Sequence, residues 1–257
     1  MACILNIETS TNVCSVAVGL DGEIIFNTSN QDGDCGTGSN HASVLGDYVK
    51  SALSFADSHA IPVDAVAISC GPGSYTGLRI GVSMAKGICY GMHIPLISVP
   101  TLDLMCVPLL LSEKIPENAL LCPMLDARRM EVFTAVYDRA LKVQTLPNDI
   151  DVQISKNGAV ATILNENSFS SLLKEYDMYF FGNGSIKFRD CIRQKSATND
   201  KEYAKAHFID GIIPLAKNMM PLAEMKYLRN EFEDVAYFEP FYLKEFVAIK
   251  SRNILCK

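Results

Sequence analysis

The sequence predicts an α/β protein built from two related units, each a mixed sheet flanked by helices. Three short apolar runs separated by turn signals open the chain, helical and strand periodicities then alternate up to residue 100, and a smaller version of that rhythm resumes after residue 120. With 257 residues, 49% of them hydrophobic, the chain can bury one large core or two medium ones.

Residues 2–8 form a continuous apolar run and residues 14–20 another. Asp21-Gly22 is a hairpin signal leading into a strand at 23–28, so three consecutive antiparallel strands are expected. Beyond the Gly-rich stretch 32–39, Val44, Leu45, Tyr48, Val49, Ala52, Leu53 and Ala56 recur at helical spacing. Residues 64–70 read as a buried strand, 71–77 as a tight loop, 78–92 as a second helix and 95–99 as a closing strand. Hairpin-linked strands followed by this alternation imply a mixed sheet with helices against it. The Pro-interrupted, Leu-rich segment that follows, through residues 112–118, is expected to be a crossover. Strands at 120–126, 130–137 and 142–146, a helix at 168–176 and a strand at 178–181 make up the smaller unit. A long helix at 210–231, kinked by Pro221, and an aromatic tail at 237–246 complete the chain. The expected division is a first domain over 1–100 joined by the helix at 211–231, a second over 101–210, and a tail over 232–257.

Charge and composition narrow the function. A net charge of −6 means that no basic field covers the molecule, and any nucleic-acid contact is local or shared with a partner. The most apolar region, 94–111, is broken by Pro95, Pro100, Asp103 and Pro108, so no membrane span is expected. The first residues lack a charged leader, and a cytoplasmic protein is expected. Nine scattered cysteines without a C-x-x-C read as reduced core residues rather than zinc ligands.

The segment Gly71-Pro72-Gly73-Ser74-Tyr75-Thr76-Gly77 has two readings, a tight strand-to-helix turn or a phosphate or partner contact. It matches neither a P-loop nor G-x-G-x-x-G nor G-x-S-x-G. The helix after it carries its polar residues, Arg79, Ser83, Lys86, Tyr90 and His93, on one narrow stripe, and the rest of its circumference is apolar or small. Burial on a second side is implied, and Gly77, Gly81, Ala85, Gly87 and Gly91 would let another helix approach closely. Packing on the first helix of the same chain is the competing explanation for one of these faces. The turn Glu8-Thr9-Ser10-Thr11-Asn12 could hold a phosphate or be an ordinary polar turn, and Asp126-Ala127-Arg128-Arg129-Met130-Glu131 could serve a partner, an anion or solvent. Position i+4 from His41 is Leu45, so no metal pair exists on the first helix.

Taken together, Ile4-Leu5-Asn6-Ile7-Glu8-Thr9-Ser10-Thr11, the block 71–81 and Pro123-Met124-Leu125-Asp126-Ala127-Arg128-Arg129-Met130-Glu131 resemble the TsaB (YeaZ) family over nearly the whole chain. The resemblance implies the actin-like ATPase fold of sugar kinases and chaperones. It implies a non-catalytic subunit in the making of N6-threonylcarbamoyladenosine at position 37 of tRNA, pairing with a TsaD-type catalytic subunit through its two N-terminal helices, with a TsaE-type ATPase as third member and tRNA met indirectly. The implied partner or homodimer interface is Val44, Leu45, Tyr48, Val49 and Ala52 on the first helix and Gly77, Leu78, Gly81, Met84, Ala85 and Ile88 on the second. Glu8, Thr9, Ser10, Gly71, Gly73 and Ser74 would lie nearest any phosphate, and Asp126, Arg128 and Glu131 form the second-domain motif. TsaD-like proteins carry His-x-x-x-His where this chain has His41-Ala42-Ser43-Val44-Leu45, so no catalytic residue or metal ligand is assigned, and Gly182-Asn183-Gly184 matches poorly the adenosine-binding glycine pair. ATP or ADP and metal are expected on partner subunits or at the shared interface. An actin-like ATPase or kinase, or a metallopeptidase-like enzyme acting alone, is the alternative.

Overall fold

A computed structural model describes residues 2–30, 41–112, 115–144, 158–196 and 203–243. Strands β1 (Cys3–Glu8), β2 (Ser15–Leu20) and β3 (Glu23–Ser29) form an antiparallel meander. Helix α1 (His41–Ser58), β4 (Ala65–Gly71), α2 (Tyr75–Met92) and β5 (Leu96–Pro100) add two parallel strands, giving the order β3-β2-β1-β4-β5. β1 and β4 are covered on both faces, which is why they read as unbroken apolar runs. Alternate side chains divide between the layers. Cys3, Leu5 and Ile7 join a core with Leu45, Val49 and Val82 under α1 and α2, whereas Ala2 and Ile4 face Met219, Met220 and Ala223 on the other side.

The expected crossover is instead a helix, α3 (Thr101–Leu110). It lies between the two units, and its apolar residues enter two cores, Leu104 on one side and Leu102, Met105, Cys106 and Leu109 on the other. A helix buried on opposite sides has no polar stripe, so it loses the periodicity that marks a surface helix.

The second unit contains β6 (Leu120–Asp126), β7 (Glu131–Thr134), β8 (Val160–Ile163), α4 (Ser170–Glu175), β9 (Met178–Phe181), α5 (Ser185–Ser196) and β10 (Ala206–Ile209). Its order, β10-β9-β6-β7-β8, repeats the first sheet strand for strand: an antiparallel meander with two parallel strands beside its first member. β8, α5 and β10 were not foreseen. Of the strand expected at 142–146, Val143 makes a single bridge to Tyr137, and residues 145 and 146 lie outside the described residues.

The helix expected over 210–231 is shorter. A 3-10 turn, Ala216–Met219, leads into α6 (Met220–Leu228), and Pro221 lies in its first turn, where a missing N–H costs nothing, rather than at a kink. α6 packs back on the first sheet. The chain after it runs across the molecule as a strap. The Glu233 N–H donates to Leu96 O at 2.8 Å, covering the edge strand β5, and the Phe241 N–H donates to Cys70 O at 2.7 Å. Phe241 and Leu243 then join the core of α3 and the second sheet. Among the described residues no helix is long and apolar enough to cross a membrane.

Candidate partner face and the paired hairpin tips

At the tip after β1, Glu8, Thr9 and Ser10 are all buried. The Ser10 N–H donates to Glu8 Oε1 at 2.5 Å, the Thr9 hydroxyl donates to Gly77 O at 2.8 Å, and the Ser74 N–H donates to Ser10 O at 2.6 Å. Ser74 caps α2, its Oγ accepting from the Gly77 N–H at 3.2 Å. The glycines of this loop are explained by the same packing. A Cβ at Gly73 would lie 2.4 Å from Ser10 O, one at Gly77 2.1 Å from Thr9 O and one at Gly81 2.2 Å from Thr9 Oγ1. Gly71, with φ +107°, faces the carbonyl of Phe241 in the strap. The structure thus brings together the six residues expected nearest a phosphate; internal closure engages the Thr9 and Ser74 hydroxyls and the Ser10 backbone, while the buried Ser10 Oγ has no hydrogen-bond partner among the described residues.

The two N-terminal helices divide the expected interface. Leu45, Val49, Ala52 and Ala85 are buried in the first core, Leu78 is buried beside Gly71, and Gly77 and Gly81 press on Thr9, so these seven belong to the chain's own packing rather than to a surface. Sequence spacing displays two small-residue rows on α2 without saying which one meets the sheet. The outward row is the later one: a Cβ added at Gly87 or Gly91 meets nothing within 4 Å. Ile80, Met84 and Ile88 are half-buried beside Gly87, and with Arg79 and Ser83 they line an open, largely apolar groove along α2. Val44 and Tyr48 of α1 are half-buried too.

The strap borders this groove, a feature the sequence reading missed. Lys86 Nζ donates to the carbonyls of Ala236 and Phe238, both at 3.0 Å, and the Arg79 guanidinium stacks 4.6 Å from the Tyr75 ring, which in turn lies 4.7 Å from Tyr242. A second hollow, lined by Arg79, Lys86, Glu239 and Tyr242 among others, adjoins the first. The polar stripe read on α2 is therefore real, and one member of it anchors the chain's own tail.

The β6–β7 tip occupies in the second sheet the place of the β1–β2 tip in the first. The Asp126 N–H donates to Asn183 Oδ1 at 2.9 Å, and Asp126 Oδ1 accepts from the Arg128 N–H at 2.6 Å and from Lys187 Nζ at 2.7 Å. Burial pushes the Asp126 carboxyl up, but Lys187 and the Arg128 N–H outweigh it and hold its pKa below the ordinary value. Gly182 and Gly184 serve this contact: a Cβ at Gly182 would lie 2.3 Å from Met124 O, and the Gly184 N–H donates to that carbonyl at 3.0 Å. Arg128 and Arg129 are exposed and left-handed, with φ of 72° and 50°. Each costs roughly 1 kcal/mol or more in a conformation that glycine adopts freely.

Burial raises the thiols: to about 11 for Cys3 and Cys89, and to about 12 for Cys14, Cys70 and Cys122. None of these five has the depressed pKa of a nucleophile. Leu45, at the position a second histidine would need, is wholly buried.

A family model described as TsaD, tRNA N6-adenosine threonylcarbamoyltransferase, matches residues 36–251. The chain is 27% identical over 250 residues to the tRNA threonylcarbamoyladenosine biosynthesis protein TsaB of Escherichia coli, covering 96% of each, and 27% identical to that of Haemophilus influenzae, covering 96% of this chain and 95% of the relative. Its fold is that of YeaZ from Pseudomonas aeruginosa, with a TM-score of 0.65 at 19% identity, over 95% of this chain and all of that one.

Proposed function

The chain belongs to the TsaD family, tRNA N6-adenosine threonylcarbamoyltransferase, and from that premise we propose that it acts in threonylcarbamoyladenosine biosynthesis as a non-catalytic subunit beside a TsaD-type transferase. The likeness to TsaB proteins spans almost the whole chain, and the sheets and helices are those of the actin-like ATPase fold. The observation that carries the reading is the outward face of α2. Ile80, Met84 and Ile88 flank a glycine that leaves room for a partner backbone, on a helix whose other sides are already packed. Two further features support a non-catalytic role. Leu45 is a core residue where a ligand would be required, and the crevice outside the carboxyl end of β4, where open α/β sheets take ligands, is filled by the chain's own strap at Cys70 and Gly71.

In this reading the transferase subunit supplies the catalytic metal, a TsaE-type ATPase joins the pair, and ATP or ADP sits on those subunits or at the shared interface. The protein works in the cytoplasm. Without its partner the chain forms a homodimer through the same groove.

The test is incorporation of labelled threonine into unmodified tRNA by the adenylate-forming enzyme, the TsaD-type and TsaE-type subunits, with and without this chain. Dependence on the chain, and no activity when it replaces the transferase, is the expected result; turnover without the transferase would make this chain the enzyme. Gly87→Leu should abolish co-purification with the transferase without lowering the melting temperature, because a Cβ there meets nothing within 4 Å and the rest of the side chain extends into the open groove.

A further inference from the structure

The strained Arg128-Arg129 pair lies outside the partner face. An idle solvated turn with two successive left-handed residues favours Asn-Gly, which adopts that conformation at little cost. Here two bulky arginines hold it instead. Asp126, two residues before Arg128, does not answer them: its Oδ1 is taken by Lys187 and by a backbone N–H. Among the described residues neither guanidinium makes an ion pair or a ring contact. α5 begins beside the turn, anchored through Gly184 and Asn183, so its positive end adds to the field there. In a chain of net charge −6, this is a local basic point held out on a hairpin.

We propose that the β6–β7 tip is an RNA contact, Arg128 and Arg129 pairing with phosphodiester oxygens of the tRNA held by the assembled complex. The inference rests on the function proposed above. Guanidinium forks match phosphate oxygens bidentately, and an exposed tip suits an extended polyanion lying across it better than a nucleotide that needs walls. The equivalent tip of the first sheet, Thr9-Ser10, is buried under the α2 loop, so the second unit alone offers this point. Strain kept at such a point has the sign of a functional constraint.

The experiment compares the wild-type chain with the double variant Arg128→Asn/Arg129→Gly, each purified with its TsaD-type partner. Binding of unmodified tRNA is read by fluorescence anisotropy across a KCl series. Relief of strain should raise the melting temperature of the isolated variant by a few degrees. The partner should still bind, tRNA affinity should fall about tenfold at low salt, and the slope of log affinity against log salt should shrink by about 1.4 to 1.8, roughly 0.7 to 0.9 per phosphate lost. Unchanged affinity and slope, with a wild-type complex that does bind tRNA, would overturn the inference and leave the functional reading standing. Loss of the protein partner instead of tRNA would also overturn it, making the tip a protein contact. So would a tip whose tRNA contribution disappears when millimolar Mg-ADP is added, since the anion bound there would then be a free nucleotide. A wild-type complex that takes up no tRNA would bring down the functional reading and this inference with it.

Discussion

At Gly81 a single methyl group decides between a closed tip and a broken one. Its Cβ would lie 2.2 Å from Thr9 Oγ1 and 3.0 Å from Ile68 Cδ1, both on buried residues. Gly81→Ala should therefore destabilise the protein by about 1–3 kcal/mol in a urea titration, and Gly81→Leu by more. Gly87→Ala, six residues on and facing open space, should be neutral or stabilising by up to about 1 kcal/mol, since alanine is the better helix former. Gly81→Leu is thus the wrong probe of partner binding, because it damages the fold first. The cysteines give a second residue-level check. With thiols raised to about 11 or 12 by burial, Cys3, Cys14, Cys70, Cys89 and Cys122 should resist iodoacetamide in the native protein at pH 8 and react once urea unfolds it. Rapid labelling of any of the five in the folded chain would contradict that account.

Among the elements, α2 is asked to do two things: close the β1 tip with its inner row and present a groove with its outer one. Lys86 ties that helix to the strap through two carbonyls. Lys86→Met keeps the aliphatic stem and removes both hydrogen bonds, so amide exchange over residues 232–243 should quicken, with a stability loss of about 1–2 kcal/mol. Exchange unchanged from wild type would show that Phe241 and the backbone bond to Cys70 suffice. The helices differ in how legible they were. α1 repeats its apolar residues at helical spacing and α2 confines its polar residues to one narrow stripe, so both helices are legible in the sequence. α3 is apolar all round because two cores share it, and α5, Ser-Ile-Lys-Phe-Arg-Asp-Cys-Ile-Arg-Gln-Lys-Ser, places little beyond Phe188 and Ile192 in its core, too thin a stripe to stand out.

In the whole molecule, the two sheets meet through α3 and the strap. Phe241→Ala removes a ring from that junction and should cost about 2 kcal/mol or more, seen as a lower urea midpoint. Asp103, in the first turn of α3, makes the junction sensitive to pH. Burial raises its carboxyl above the ordinary value, while Tyr137 and Lys226 oppose the shift without cancelling it. A raised folded pKa means that the folded state holds the proton more tightly, so this contribution is complete in acid and is lost as pH climbs through the raised value. Asp103→Asn should accordingly gain stability relative to wild type between acid and neutral pH; a parallel pair of stability curves would refute the assignment. The α/β alternation, the first meander, the helical periods of α1 and α2 and the glycine loop were all written in local sequence, because period and turn chemistry act within a few residues. Which glycine row of α2 faces Thr9, that 232–243 covers β5 and closes the crevice, and that Lys187 leaves Arg128 and Arg129 unanswered depend on residues up to 171 positions apart, as with Cys70 and Phe241. Spacing along a chain carries no information about such contacts; they are decided when the sheets pack and each polar group must find a partner or face water.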